Sequence, residues 1–75
     1  MSRIGENIMK RRKELGITQE ELAYRMGYKS KSTINKIELG INDIPRSKVT
    51  KFAEVLGIEP AELMGWEEVQ KNNDT

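Results

Sequence analysis

Lys31, Ser32, Asn35 and Lys36 recur at separations of one, three and four residues. On a helix that spacing gathers two ammonium groups, a hydroxyl and an amide onto one side. Such a set carries positive charge and makes directional hydrogen bonds; it does not break covalent bonds. The composition agrees. The 75 residues contain no histidine and no cysteine. Ser–His and Cys–His catalysis, disulfides and the usual zinc ligand sets are therefore excluded. The carboxylates are scattered. The adjacent Glu20 and Glu21 read as favourable charges at a helix N-terminus, not as an acid–base pair. A binding protein is expected, with no enzymatic activity, metal or cofactor.

The net charge of +1 conceals an asymmetry. Residues 1–51 hold twelve Lys and Arg against six acids, a net +6; residues 52–75 hold Lys71 against six acids, a net −5. A basic front and an acidic back fit a nucleic-acid face on a small domain. The plainer alternative is an uneven solvated surface. No apolar run approaches the ~20 residues of a membrane span, and no signal-peptide stretch opens the chain. A soluble, cytoplasmic protein is expected.

A chain of this length forms one domain with a small core. Nothing alternates with the two-residue period of a strand. Apolar residues recur instead at helical spacing, in five segments punctuated by Gly16, Gly27, Gly40, Gly57 and Gly65. The expected fold class is all-α. The first segment runs from Ser2 to Leu15, with Ile4, Ile8, Leu15 and the stem of Arg12 on its inner stripe. The run Lys10–Arg11–Arg12–Lys13 covers its other faces. Thr18-Gln19-Glu20-Glu21 opens the second segment with the pattern of a reciprocal capping box, and Ile17 and Leu22 form a staple across it. Leu22, Ala23 and Met26 face inward. The turn Tyr28-Lys29-Ser30 leads to the third segment, capped by Ser30 or Lys29, of which Ser30 is the better acceptor. Ile34 and Ile37 face inward there, leaving Lys31, Ser32, Asn35 and Lys36 outward. After the loop Ile41–Pro45, the fourth segment, Arg46 to Leu56, buries Val49, Phe52, Ala53 and Leu56. Pro60 opens a short fifth segment, with Ile58 stapled to Leu63. Residues 66–75 are polar and read as a tail or the start of a linker.

Thr18 to Gly40 is the informative unit. Two short helices meet at a tight turn holding a glycine. Ala23 lets them cross closely, and the second has an apolar inner and a polar, basic outer face. That is the helix-turn-helix arrangement. A protruding helix of this kind fits the major groove, where donors and acceptors of modest length reach base edges. Lys29, Lys48, Lys51 and the Lys10–Lys13 run supply a positive surround.

The stretches Leu15-Gly-Ile-Thr-Gln-Glu-Glu-Leu-Ala, Met26-Gly and Ser32-Thr-Ile-Asn-Lys-Ile-Glu-Leu-Gly resemble the Cro/cI-type (XRE) helix-turn-helix family. The resemblance extends over residues 1–65 and includes Gly40-Ile41-Asn42, as in the N-terminal domains of lambda-type phage repressors. It implies a five-helix, lambda-repressor-like DNA-binding domain. The turn between the second and third helices is one residue longer than the family's commonest form, which leaves the start of the third helix open by one position.

The resemblance also implies roles. Gln19 matches a residue whose side chain and amide clamp a phosphate at a helix N-terminus. Lys31 and Ser32 match base-contacting positions: Lys suits guanine O6 and N7, and Ser serves either sense. A phosphate contact is the alternative for Lys31. Asn35 carries an amide suited to adenine, and Lys36 matches a further base-reading position; a solvent-facing side chain is the alternative for both. Lys29, Asn42 and Arg46 are phosphate-contact candidates. Tyr24 and Tyr28 are weaker ones. Arg12 and Glu38 are implied as an ion pair tying the first helix to the end of the third. Leu63, Met64, Trp66 and Val69 are candidates for a dimer surface, with a core role as the alternative for Leu63. A dimer would set two recognition helices ~34 Å apart, matching half-sites one turn apart.

These readings describe a bacterial or phage-encoded regulator, expected to be a repressor. It would bind a near-palindromic double-stranded DNA operator as a homodimer, with no membrane and no small-molecule ligand. The alternatives are a helix-turn-helix antitoxin, or an interaction module that does not bind an operator. The chain is either a complete small regulator or the N-terminal module of a longer one.

Overall fold

The computed structural model describes residues 3–65. Over that span the chain forms α1 (Arg3–Glu14), α2 (Gln19–Met26), α3 (Lys31–Glu38), α4 (Arg46–Leu56) and α5 (Pro60–Leu63), and no strand. The expected tail, with Trp66 and Val69, lies outside the described residues.

Local chemistry sets the helix-turn-helix boundaries. Thr18 caps α2 from extended backbone, its Oγ1 accepting the Glu21 N–H at 3.0 Å. The reciprocal half of the expected capping box does not form. Arg25 Nε donates instead to Glu21 Oε2 at 2.9 Å. A guanidinium one turn along is a stronger partner for a carboxylate than a neutral backbone N–H. Gly27, at φ 81°, turns the chain left-handed, and the Tyr28 N–H reaches back to the Ala23 carbonyl at 2.9 Å. A side chain at that φ would clash with its own backbone, so glycine stands there. Ser30 Oγ then accepts the Ser32 N–H at 3.1 Å, which makes Ser30 the cap and Lys31 the first residue of α3.

The core gathers Ile8 of α1, Leu22 and Met26 of α2, Ile34 and Ile37 of α3, and Phe52 and Leu56 of α4. Burying one such side chain contributes roughly 1.5–3 kcal/mol. Two expectations are corrected. Leu63 is fully buried beside these residues, so it is a core residue with no surface to offer a dimer. Leu15 is 40% exposed rather than part of the α1 stripe. The helix ends at Glu14, Gly16 turns at φ 73°, and Ile17 packs against the core in its place.

Gly5 escaped the sequence reading. It sits buried in the first turns of α1, where an added Cβ would collide with the Ile37 carbonyl oxygen and lie 3.1 Å from that of Glu38. α1 therefore meets the end of α3 backbone against side-chain-free backbone. Gly5→Ala should improve helix propensity by about 1 kcal/mol. It should nevertheless destabilise the domain by a net ~1–3 kcal/mol through overpacking against unyielding backbone. Thermal unfolding followed by circular dichroism should show a midpoint lowered by roughly 4–8 °C for each kcal/mol lost.

Candidate nucleic-acid interface

The interface is built on one buried carboxylate. The Glu38 side chain is only 1% exposed, at the C-terminal end of α3. Arg12 of α1 approaches it with a fork, Nε donating to Oε2 at 2.7 Å and Nη2 to Oε1 at 3.1 Å. The remaining arm, Nη1, donates to the Ile17 carbonyl at 3.0 Å. Gln19 Nε2, from the first residue of α2, donates to the same Oε1 at 3.0 Å. Three hydrogen bonds thus neutralise and satisfy Glu38, as a buried charge requires. No buried side-chain polar atom among the described residues lacks a partner. The α1–α3 pair implied by the resemblance is present, and it includes the start of α2.

Lys31, Ser32, Asn35 and Lys36 are all exposed on the side of α3 opposite Ile34 and Ile37. Asn35 is also tied to the frame, because Gln19 Nε2 lies 3.3 Å from its Oδ1. That contact leaves the Asn35 amino group as its available donor. Gln19 itself is half-buried, with its amide directed at Glu38 and Asn35. Its backbone N–H belongs to a first helical turn, where N–H groups have no intrahelical acceptor. Lys29 in the turn, Asn42 in the loop and Arg46 at the start of α4 are exposed.

The basic run of α1 supplies less of the positive surround than expected. Arg11 Nε caps α4 by donating to the Leu56 carbonyl at 2.8 Å, and Arg12 is taken by Glu38, so only Lys10 and Lys13 are exposed. Asn7 acts likewise, donating to the Leu63 carbonyl at the end of α5 at 2.8 Å. Helix C-termini leave carbonyls without intrahelical partners, and these side chains supply them. Sequence spacing offered no sign of that, because the acceptors lie 45 and 56 residues away. Tyr24 is exposed. Tyr28 instead packs on Phe52, ring centroids 6.2 Å apart, with Lys48 Nζ 5.7 Å above its ring. Burial raises its phenol above the ordinary value of 10.0, so the hydroxyl stays protonated at neutral pH.

Residues 8–63 match the helix-turn-helix family model. The chain belongs to the Cro/cI-type (XRE) helix-turn-helix family. Members of that family are DNA-binding transcription regulators. No curated protein matches the sequence significantly. Solved structures do. The restriction-modification controller protein C.AhdI from Aeromonas hydrophila is 31% identical with a TM-score of 0.74, over 83% of this chain and 88% of its own. The hypothetical transcription factor NHTF from Neisseria is 25% identical with a TM-score of 0.78, over 92% and 80%. A chain of the SinR protein/SinI protein complex is 28% identical with a TM-score of 0.70, over 96% and 79%. None of α1 to α5 is long and apolar enough to cross a membrane.

Glu38→Ala should cost at least ~3 kcal/mol, because it leaves the Arg12 guanidinium, 11% exposed, without its counter-charge. The double variant Arg12→Met with Glu38→Leu should be less destabilised than the sum of the single variants. Urea unfolding of all four proteins closes the cycle. Simple additivity would mean that the pair contributes no coupling.

Proposed function

We propose that this chain is a transcriptional repressor that binds a near-palindromic operator as a homodimer, each copy laying α3 in the major groove. The observation that carries this reading is the outward face of α3. Lys31, Ser32, Asn35 and Lys36 are all exposed there, while Ile34, Ile37 and Glu38 are buried behind them. Lys31, Ser32, Asn35 and Lys36 contact base edges, and Lys29, Asn42 and Arg46 contact phosphates. Gln19 has a double role: its backbone N–H at the start of α2 meets a phosphate, while its side chain steadies Glu38 and Asn35. Repression follows from occupancy, since a protein seated in the groove keeps polymerase off the same DNA. Met64, exposed after α5, contributes to the dimer contact. Trp66 and Val69, outside the described residues, complete it. The protein acts in the cytoplasm, where its DNA is, and catalyses no reaction.

The kinship with C.AhdI and NHTF, a controller protein and a transcription factor by name, supports a regulatory role. The test is selection from random duplex DNA, with recovered sites rebound at two salt concentrations. A palindrome with half-sites about one turn apart, and affinity that falls steeply with salt, is expected. Recovery of no motif by folded protein would overturn the reading.

Two variants test the assignments. Lys31→Ala should lose ~1–3 kcal/mol of discrimination between the selected site and a site altered at one base pair. Equal loss on all DNA would make Lys31 a phosphate contact. Gln19→Ala keeps the backbone N–H for the phosphate but removes the amide that holds Asn35. It should therefore weaken binding to the selected site more than to random duplex, and an equal loss on both would contradict the positioning role of the side chain.

A further inference from the structure

Leu39 is 61% exposed, although it directly follows a helix whose other apolar residues are buried. It keeps the helical course of α3: its φ and ψ are −81° and −6°, and its N–H reaches the Asn35 carbonyl at 3.0 Å. At 3.6 residues per turn it therefore lies within about 80° of Lys31, Ser32, Asn35 and Lys36, and about 100° or more from Ile34, Ile37 and Glu38. It is one turn beyond Asn35 on the exposed face. Ile41, also exposed, follows Gly40, whose φ of 79° takes the chain off the helix axis. Leu39 is thus the apolar member of an otherwise hydrogen-bonding and cationic surface.

We infer that Leu39 is a specificity-determining residue that recognises thymine through its 5-methyl group, next to the base pair met by Asn35. This rests on the proposed placement of α3 in the major groove. A helix laid there along its exposed face brings Leu39 to the duplex with its neighbours. A leucine offers no hydrogen bond to phosphate or base edge, so it gains only by covering apolar surface. The apolar group that base edges display in the major groove is the thymine methyl; cytosine, adenine and guanine present donors and acceptors there. Leu39 therefore favours a T·A pair at its position and leaves a polar edge unsatisfied at the others.

The test uses the duplex recovered by selection, with each thymine replaced in turn by deoxyuridine. That exchange removes one methyl group and leaves the base pairing intact. One thymine per half-site should respond, binding weakening about three- to fivefold for the wild-type protein. The same exchange should have no effect on Leu39→Ala, which should bind the thymine duplex as weakly as the wild type binds the uracil one. Leu39→Met should keep the uracil sensitivity. The side chain is exposed, so these variants should melt with the wild type. Indifference to every uracil, or equal sensitivity in Leu39→Ala, would overturn the inference while leaving operator binding intact. Unchanged DNA affinity in Leu39→Ala would overturn it too, pointing instead to an apolar protein partner. Failure to select any site is a different outcome: it removes the DNA reading, and the inference with it.

Discussion

A carboxylate removed from water is tolerated only when its charge is met and its oxygens are hydrogen-bonded, and Glu38 meets that condition with three hydrogen bonds from groups on two other helices. Arg12 closes a planar fork on it from α1, and Gln19 reaches it from the head of α2. A fork constrains angle as well as distance, so the pose of α3 against α1 is set more tightly than apolar packing would set it. The stability supplied is modest once desolvation is counted. What the arrangement supplies above all is orientation. If α3 rolled to expose Ile34, Glu38 would lose its partners in the same movement.

That constraint has counterparts along α1, three of whose polar residues are turned inward. Asn7, Arg11 and Arg12 donate to α5, α4 and α3 respectively, so α1 acts as a polar spine whose donors close other helices' ends. Gly5 belongs to the same device, since its missing side chain lets α1 approach the Ile37 and Glu38 backbone closely enough for Arg12 to reach. The positive potential of the domain then comes from scattered exposed lysines and Arg46 rather than from one patch. Lys48 adds to it while resting over Tyr28.

Gln19 connects the two halves of the proposed function. It bridges the buried Glu38 and the exposed Asn35, so the amide that steadies the frame also orients a group on the reading face. On the proposed function, stability and specificity are coupled through this one side chain. A phosphate meeting the backbone at the head of α2 would bear on the same residue.

The five helices, the Thr18 and Ser30 caps and the outward set Lys31, Ser32, Asn35 and Lys36 were legible in the sequence, because each depends on neighbours within about one helical turn. The Arg12–Glu38 pair was legible only through family likeness, since 26 residues separate its members. Other features depended on contacts that no local pattern encodes. A lysine–arginine run looks like a surface patch until the chain ends it must cap arrive from elsewhere. A glycine in a helix interior looks like a weak spot until another backbone passes against it. Leu63 could cover the core or a partner, and only the seating of α5 decided for the core. The exposure of Leu39 likewise depends on what packs around the end of α3. Short-range hydrogen bonding and helical periodicity placed each helix to within a residue or two and showed which side of it is apolar, Leu15 excepted. Which donors are consumed internally and which remain for a ligand depends on how the helices pack, because a hydrogen bond goes to whichever acceptor packing brings within about 3 Å.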